Sequence, residues 1–346
     1  MKFAYDIVST YHENFESGPQ LDSAPVIPAI EPVDFLGQKV NSRLGIAAGL
    51  LLNAKWIEGY AARGWDLLTY KTVRSSGREC YPPPNWVFVN ADEGAGHVYA
   101  TDDLPSDSST ISSSVCFGMP SMPPEFWRED IARAKATMSE GQMLIVSVVA
   151  SPEPGWSATQ VADDYAQCAA WAAEAGADAV EANYSCPNVC SAEGQVYRDP
   201  TLSETITQAI RAAIGNTPLL LKIGVFPDAD SQLPFLHAVA DNATGITLVN
   251  GISRPVLHAD GRPVFGDQYV TAGVLGRIIH EPCVKAVREA RAVIESENLS
   301  LSLAAVGGVS SGTDYNEFIE AGADAVMCGS SPMYLPDLAI EIKSKL

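Results

Sequence analysis

Asn183, Tyr184, Ser185, Cys186, Pro187 and Asn188 follow an apolar run that begins at residue 177. A short strand thus delivers amides and a thiol into a proline-containing loop, the composition of a catalytic mouth. A thiol titrates near about pH 8.5 and becomes a usable proton acceptor once nearby charge or amides stabilise the thiolate. Lys71, Lys222 and Asn250 end three other apolar runs. A polar group left unpaired in such surroundings costs roughly 2–7 kcal/mol, so a bound polar ligand is expected to supply partners. Gly307-Gly308 and Gly329-Ser330 end two more runs, where backbone N–H groups can receive a phosphate.

The elements that must carry these residues alternate regularly. Apolar runs fall at 44–49, 65–71, 143–149, 177–184, 219–224, 245–250, 301–306 and 323–328. Helical patterns follow at 54–63, 158–175, 202–214, 230–240, 275–297, 312–321 and 334–346. Buried parallel strands read as unbroken apolar runs, and strands alternating with helices in this number predict an α/β fold, a (β/α)8 TIM barrel. Three helices end in similar phrases, Glu174-Ala-Gly-Ala-Asp178, Glu320-Ala-Gly-Ala-Asp324 and Ala61-Ala-Arg-Gly-Trp-Asp66, each with Gly where a helix stops and a strand begins. In such barrels the chemistry lies at the C-terminal ends of the strands, where the residues above fall.

We expect a single domain over 1–346. Residues 1–40 form an N-terminal cap, in which Tyr5, Val8, Tyr11 and Phe15 recur at helical spacing and dock on the barrel. Residues 72–141 are too long for a plain connection between the second and third strands and read as a lid-like insertion. It holds Tyr81-Pro-Pro-Pro84, a hairpin around 86–100, a Ser-rich stretch at 106–114 and a helix over 123–138.

With 22 Lys and Arg against 42 Asp and Glu, the net charge is -20, which repels nucleic acid and anionic membranes. No apolar run approaches the ~20 residues needed to cross a bilayer, and the N-terminus lacks a signal-peptide core, so a cytoplasmic protein is expected. The seven cysteines (80, 116, 168, 186, 190, 283 and 328) include no CxxC pair, which argues against a disulfide framework or a metal site. Cys168 reads as core, and Cys190 carries no motif.

The phrases GIAAG (45–49), TYKT (69–72), EANYSCPN (181–188), LLLKIG (219–224), LVN (248–250), VGGVSSG (306–312) and AGADAVMCGS (321–330) together resemble the dihydroorotate dehydrogenase family. They stand in its order and spacing over residues 35–346. SCPN beside a Lys-Thr strand end resembles its soluble, cysteine-base branch and the related dihydropyrimidine dehydrogenase domain. The resemblance implies an FMN-dependent oxidoreductase acting on a CH–CH bond of dihydroorotate or a similar dihydropyrimidine. Cys186 would be the general base and Lys71 would contact both flavin and substrate. FMN would be held by Ala48, Gly49, Lys71, Thr72, Asn183, Lys222, Asn250, Gly273, Gly307, Gly308, Gly329 and Ser330, with Lys222 beside the flavin N1 and C2 carbonyl. The substrate would be held by Lys71, Asn183, Asn188 and Asn250. Soluble relatives suggest a homodimer.

Two positions depart from the family pattern. Gly251 stands where a Ser or Thr usually follows the strand-six asparagine, and Val115 stands where the branch carries an asparagine before the turn at Phe117-Gly-Met-Pro120. Lys222 could alternatively act as a Schiff-base nucleophile in a cofactor-free, phosphate-binding lyase or aldolase, and a flavin-binding barrel without catalysis would not need Cys186. A tRNA dihydrouridine synthase would share the flavin barrel but should carry a basic face. No motif identifies the electron acceptor.

Overall fold

The computed structural model describes residues 3–90, 96–185 and 192–346. Eight strands run parallel in chain order: β1 (Leu44–Ile46), β2 (Leu67–Val73), β3 (Met143–Val148), β4 (Ala179–Asn183), β5 (Leu219–Ile223), β6 (Gly245–Leu248), β7 (Ser302–Val306) and β8 (Ala325–Cys328). β8 pairs with β1 and closes the barrel. These are the eight predicted runs, trimmed at their ends, except that β2 runs on to Val73, two residues past the predicted end at Lys71. Helices cover the outside of the barrel, which explains why the strands carry no polar alternation.

The pairing register sets what faces inward. It advances by two residues for every second strand, so inward side chains fall into layers of four drawn from alternate strands. Thr69, Glu181, Thr247 and Met327 form a middle layer on β2, β4, β6 and β8. The layer above it, on the odd strands, is Ala47, Ser147, Lys222 and Val306, and the one below is Gly45, Ile145, Leu220 and Ala304. Lys71 and Asn183 belong to the next level up, at the mouth.

Below these layers Leu67, Ala179 and Ala325 pack with Phe35 and Val40 in one apolar cluster. The last two come from a two-stranded hairpin, Val33–Phe35 with Gln38–Val40, which therefore plugs the N-terminal end of the barrel. Nothing in the sequence marked this hairpin beyond a place in the cap. The rest of the cap departs from its predicted spacing. A helix covers only Tyr11–Ser17, started by a reciprocal Thr10–Glu13 capping box. Tyr5 and Phe15 dock as expected, but Val8 is 91% exposed, because Tyr5 and Val8 precede the helix start.

The insertion after β2 carries the predicted hairpin, Trp86–Asn90 with Val98–Ala100, and the helix Pro124–Thr137. It also carries a strand, Ser112–Val115, where only a Ser-rich stretch was read. That strand pairs antiparallel with Trp86–Asn90 on one side and with Thr271–Gly276 on the other. Thr271–Gly276 and its partner Ile252–Leu257 come from the connection after β6, and Ile252–Leu257 closes the small sheet against Val98–Ala100. The predicted helix over 275–297 is corrected accordingly: the helix runs His280–Ser296, and its expected first turn is the end of a strand. The terminal helix is likewise shorter, Leu338–Lys343, preceded by the turn Ser331–Met333. It is tied to the barrel by a buried ion pair from Lys343 to Asp66 at 2.6 Å.

No helix of the described residues is long and apolar enough to cross a membrane. Cys168, Cys283 and Cys328 are buried free thiols. Burial pushes Cys283 and Cys328 up to about 12, which fits core packing rather than chemistry.

Candidate functional site

The C-terminal ends of the strands and the small sheet enclose one cleft. Its floor comes from the barrel: Ala47, Ala48 and Gly49 follow β1, Lys71 and Thr72 lie in the last three residues of β2, Asn183 ends β4 and Lys222 rises from β5. One side is backbone-rich, with Gly307 and Gly308 after β7 and Gly329 and Ser330 after β8. The opposite side is apolar and comes from the insertion, with Trp86, Val115, Phe117 and Met119.

The polar groups of the floor are held rather than loose. Lys71, 6% exposed, donates from Nζ to the Pro120 carbonyl at 3.1 Å and stands 5.6 Å from the centroid of the Tyr11 ring. Lys222, 3% exposed, donates to the Ala48 carbonyl at 3.3 Å. Asn250 Nδ2 donates to Asn183 Oδ1 at 3.0 Å and also reaches the Ser185 carbonyl. Asn183 Oδ1 further accepts from the Ser185 N–H at 3.2 Å. Its own Nδ2 faces Met119 Sδ at 3.6 Å, a weak acceptor that a ligand carbonyl would outcompete. Thr72 is fixed by Ser147, oxygen to oxygen at 2.9 Å.

Close packing shapes the glycine side. A Cβ on Gly308 would stand 2.5 Å from the Gly276 carbonyl oxygen, and one on Gly307 would stand 2.3 Å from Cys283 Cβ. His280 Nδ1 donates to the Gly307 carbonyl at 2.9 Å, which ties this turn to the start of the helix His280–Ser296. Gly49 and Gly329 differ, since a Cβ there would meet nothing within 4 Å. Side chains at those two positions would take up room in the cleft itself.

Twelve of the predicted site residues, namely Ala48, Gly49, Lys71, Thr72, Asn183, Lys222, Asn250, Gly273, Gly307, Gly308, Gly329 and Ser330, line this one cleft. Cys186 and Asn188 lie outside the described residues. Val115 also lines the cleft, between Trp86 and Gly273 in the strand pairing, so the departure noted in the sequence bears directly on this wall. Gly251 has a different explanation. It takes φ +103 where the chain turns from β6 into Ile252–Leu257, a conformation that disfavours Ser or Thr.

Sequence reasoning missed Trp86, Phe117, Met119, Ile279 and Tyr334, all in the lining. Apolar wall residues carry no chemical signature, and only the Gly-Met-Pro turn marked that segment. Cys80 in the insertion is a second thiol close enough to feel Lys71. Burial outweighs the pull of that ammonium and holds Cys80 up at about 11.

A family model described as Dihydroorotate dehydrogenase matches residues 123–346. A protein named dihydroorotate dehydrogenase from Dictyostelium discoideum is 31% identical, over 97% of this chain and 95% of its own length. A putative dihydroorotate dehydrogenase A (fumarate) from Aeropyrum pernix is 25% identical over 86% of this chain and 85% of its own. Among solved structures, a dihydroorotate dehydrogenase from Eimeria tenella in complex with ferulenol superposes with a TM-score of 0.73, covering 91% of this chain and 83% of its own. At 17% identity that likeness speaks for the fold alone.

Proposed function

The chain belongs to the dihydroorotate dehydrogenase family, and from that premise we propose that it oxidises dihydroorotate with FMN held at the barrel mouth and Cys186 as general base. The observation that carries this reading is the convergence of Lys71, Asn183, Lys222 and Asn250 with the two glycine turns on one cleft.

The cleft fits a flavin on its own chemistry. Its apolar floor at Ala47 and Val306 and the open positions above Gly49 and Gly329 suit a flat ring that tolerates no side chain there. The turns Gly307-Gly308 and Gly329-Ser330 lie after the seventh and eighth strands, the usual phosphate position in such barrels. Lys222 brings positive charge to the floor, where it favours electron density on a bound ring. When bound, FMN supplies the hydride acceptor for desaturation of a C–C bond.

The chain's own residues do the rest. Cys186 takes the proton from the carbon next to the one that loses hydride, and Asn183 and Asn250 orient the imide edge through paired amides. Lys71, braced by Pro120 and Tyr11, holds substrate against the ring. The apolar wall of Trp86, Phe117 and Met119 excludes water. Val115 in that wall removes one polar contact to the substrate and leaves room for a related dihydropyrimidine. The reading includes a cytoplasmic homodimer, and gel filtration of the active fraction checks the oligomeric part.

Anaerobic titration of the purified yellow protein with dihydroorotate is the test, and bleaching of the flavin band is the expected result. A preparation that cannot be reconstituted with FMN, or that no dihydropyrimidine bleaches, overturns the reading. Cys186→Ser should retain flavin and slow its reduction by about 10²–10⁴-fold. Equal rates in variant and parent would remove the base assignment.

A further inference from the structure

The middle layer of the barrel is polar where a plain barrel interior is aliphatic. Glu181 is fully buried, and neither carboxylate oxygen has a hydrogen-bond partner among the described residues. The hydroxyls of Thr69 and Thr247, in the same layer, are also buried without partners there. Four orphaned oxygens at one level are unusual for a native core, where buried polar groups are satisfied by protein or internal water. A carboxylate isolated in such a core is strongly penalised unless an opposite charge compensates it.

That opposite charge lies one layer up on the adjoining strand. Glu181 pairs in register with Leu220 of the layer below on β5, and Lys222, in the layer above, is the next inward residue after Leu220. Among the described residues, those lining the cleft include two lysines, Lys71 and Lys222, and no Asp or Glu. The mouth thus concentrates positive charge, and the carboxylate set beneath it is Glu181.

We propose that Glu181 is a positioning residue for the cleft: the buried countercharge of Lys222, coupled to it through water held by the Thr69 and Thr247 hydroxyls. It touches neither substrate nor flavin. Its role is to fix the Lys222 ammonium beneath the ring and, by its own negative charge, to set how strongly the floor favours added electron density. The stability side stands independently of the proposed function, while the redox side rests on the flavin reading.

A stability cycle on flavin-free protein tests the coupling. E181Q, K222M and the double variant are compared with the parent by urea unfolding. Lys222→Met should leave the carboxylate buried without its partner, so adding E181Q should cost far less in that background than in the parent. The expected non-additivity is at least tenfold in the unfolding equilibrium, about 1.4 kcal/mol. Additive effects overturn the proposal. If K222M fails to fold and the double variant folds, the coupling is shown in stronger form. If neither folds, E181Q alone decides through the second measurement.

That measurement is the midpoint potential of bound flavin. E181Q preserves shape but removes negative charge below Lys222, so the potential should rise. A tenfold gain in relative affinity for the reduced form corresponds to about 30 mV for two electrons. E181D, which retains the charge, should recover most of the parental value. An unchanged potential in E181Q, or equal shifts in E181Q and E181D, would reduce Glu181 to packing. Failure of the parent to bind flavin would instead count against the proposed function, and the stability cycle would still judge Glu181.

Discussion

The two walls of the cleft are built by different rules. The floor and glycine side stand on the ends of barrel strands, so the register of eight parallel pairings decides where Lys71, Asn183 and Lys222 point. The opposite wall stands on a small sheet assembled from two distant pieces of chain, 86–115 and 252–276, joined where Val115 pairs with Gly273 and where Val256 pairs with Val98. The first wall inherits its geometry from the fold; the second depends on two non-local strand pairings. Chemistry on the flavin is therefore tied to the barrel, while substrate preference can change by substitutions in the added sheet alone.

The largest effect should come from the barrel wall. In Gly308→Ala the added Cβ would meet the Gly276 carbonyl at 2.5 Å, in a backbone conformation with φ +66 that L side chains rarely adopt. We expect a stability loss of about 1–3 kcal/mol together with lost flavin retention. Gly329→Ala sharpens the point, because its Cβ meets nothing within 4 Å. That variant should unfold like the parent and yet bind flavin more weakly, on the order of tenfold, a loss of about 1.4 kcal/mol. Thermal unfolding of apo-protein beside flavin titration separates the two. If both variants lose stability and flavin in parallel, the glycines are tight turns and not a cradle.

The contrast between the walls also accounts for what could be read in the sequence. β1 to β8 were legible because a parallel strand covered on both faces must be apolar along its whole length. The polar ends Lys71, Asn183, Lys222 and Asn250 were legible because they interrupt those runs. Ser112–Val115 was not: Ser-Ser-Ser-Val has no apolar alternation, and its burial comes from two partner strands, one of them more than a hundred residues away. The end of Thr271–Gly276, from Leu275 on, was absorbed into a helical pattern for the same reason, since Leu275 and Ile279 keep helical spacing with the helix that follows. Glu181 was seen only as part of a phrase. Its burial without partners among the described residues emerged from three-dimensional layering.

The next effect belongs to the second wall. Val115→Asn would restore a polar side chain in a strand whose neighbours, Trp86 and Gly273, already face the cleft. It should lower KM for dihydroorotate by roughly 5–10-fold, the worth of about one hydrogen bond, with flavin retention unchanged. A change in flavin binding instead would mean that the walls are not separable.

The smallest effect is expected at Trp86, directly across from Val115. Its indole ring packs against Tyr5 and Phe117, with centroids 5.2 and 6.2 Å away. Its Nε1–H is buried without a partner among the described residues. Trp86→Phe keeps an aromatic ring in this cluster and removes the orphaned donor, whose burial costs about 1–3 kcal/mol. The lost ring area offsets that gain, so stability should change by less than about 1 kcal/mol. Because the N–H is sealed from the cleft, KM for dihydroorotate should move by less than about threefold, well short of one hydrogen bond. A KM increase of tenfold or more in Trp86→Phe, with flavin retained, would show that the indole turns to meet substrate. The donor missing at Val115 would then be supplied from the facing strand, and the second wall would be a rebuilt polar site.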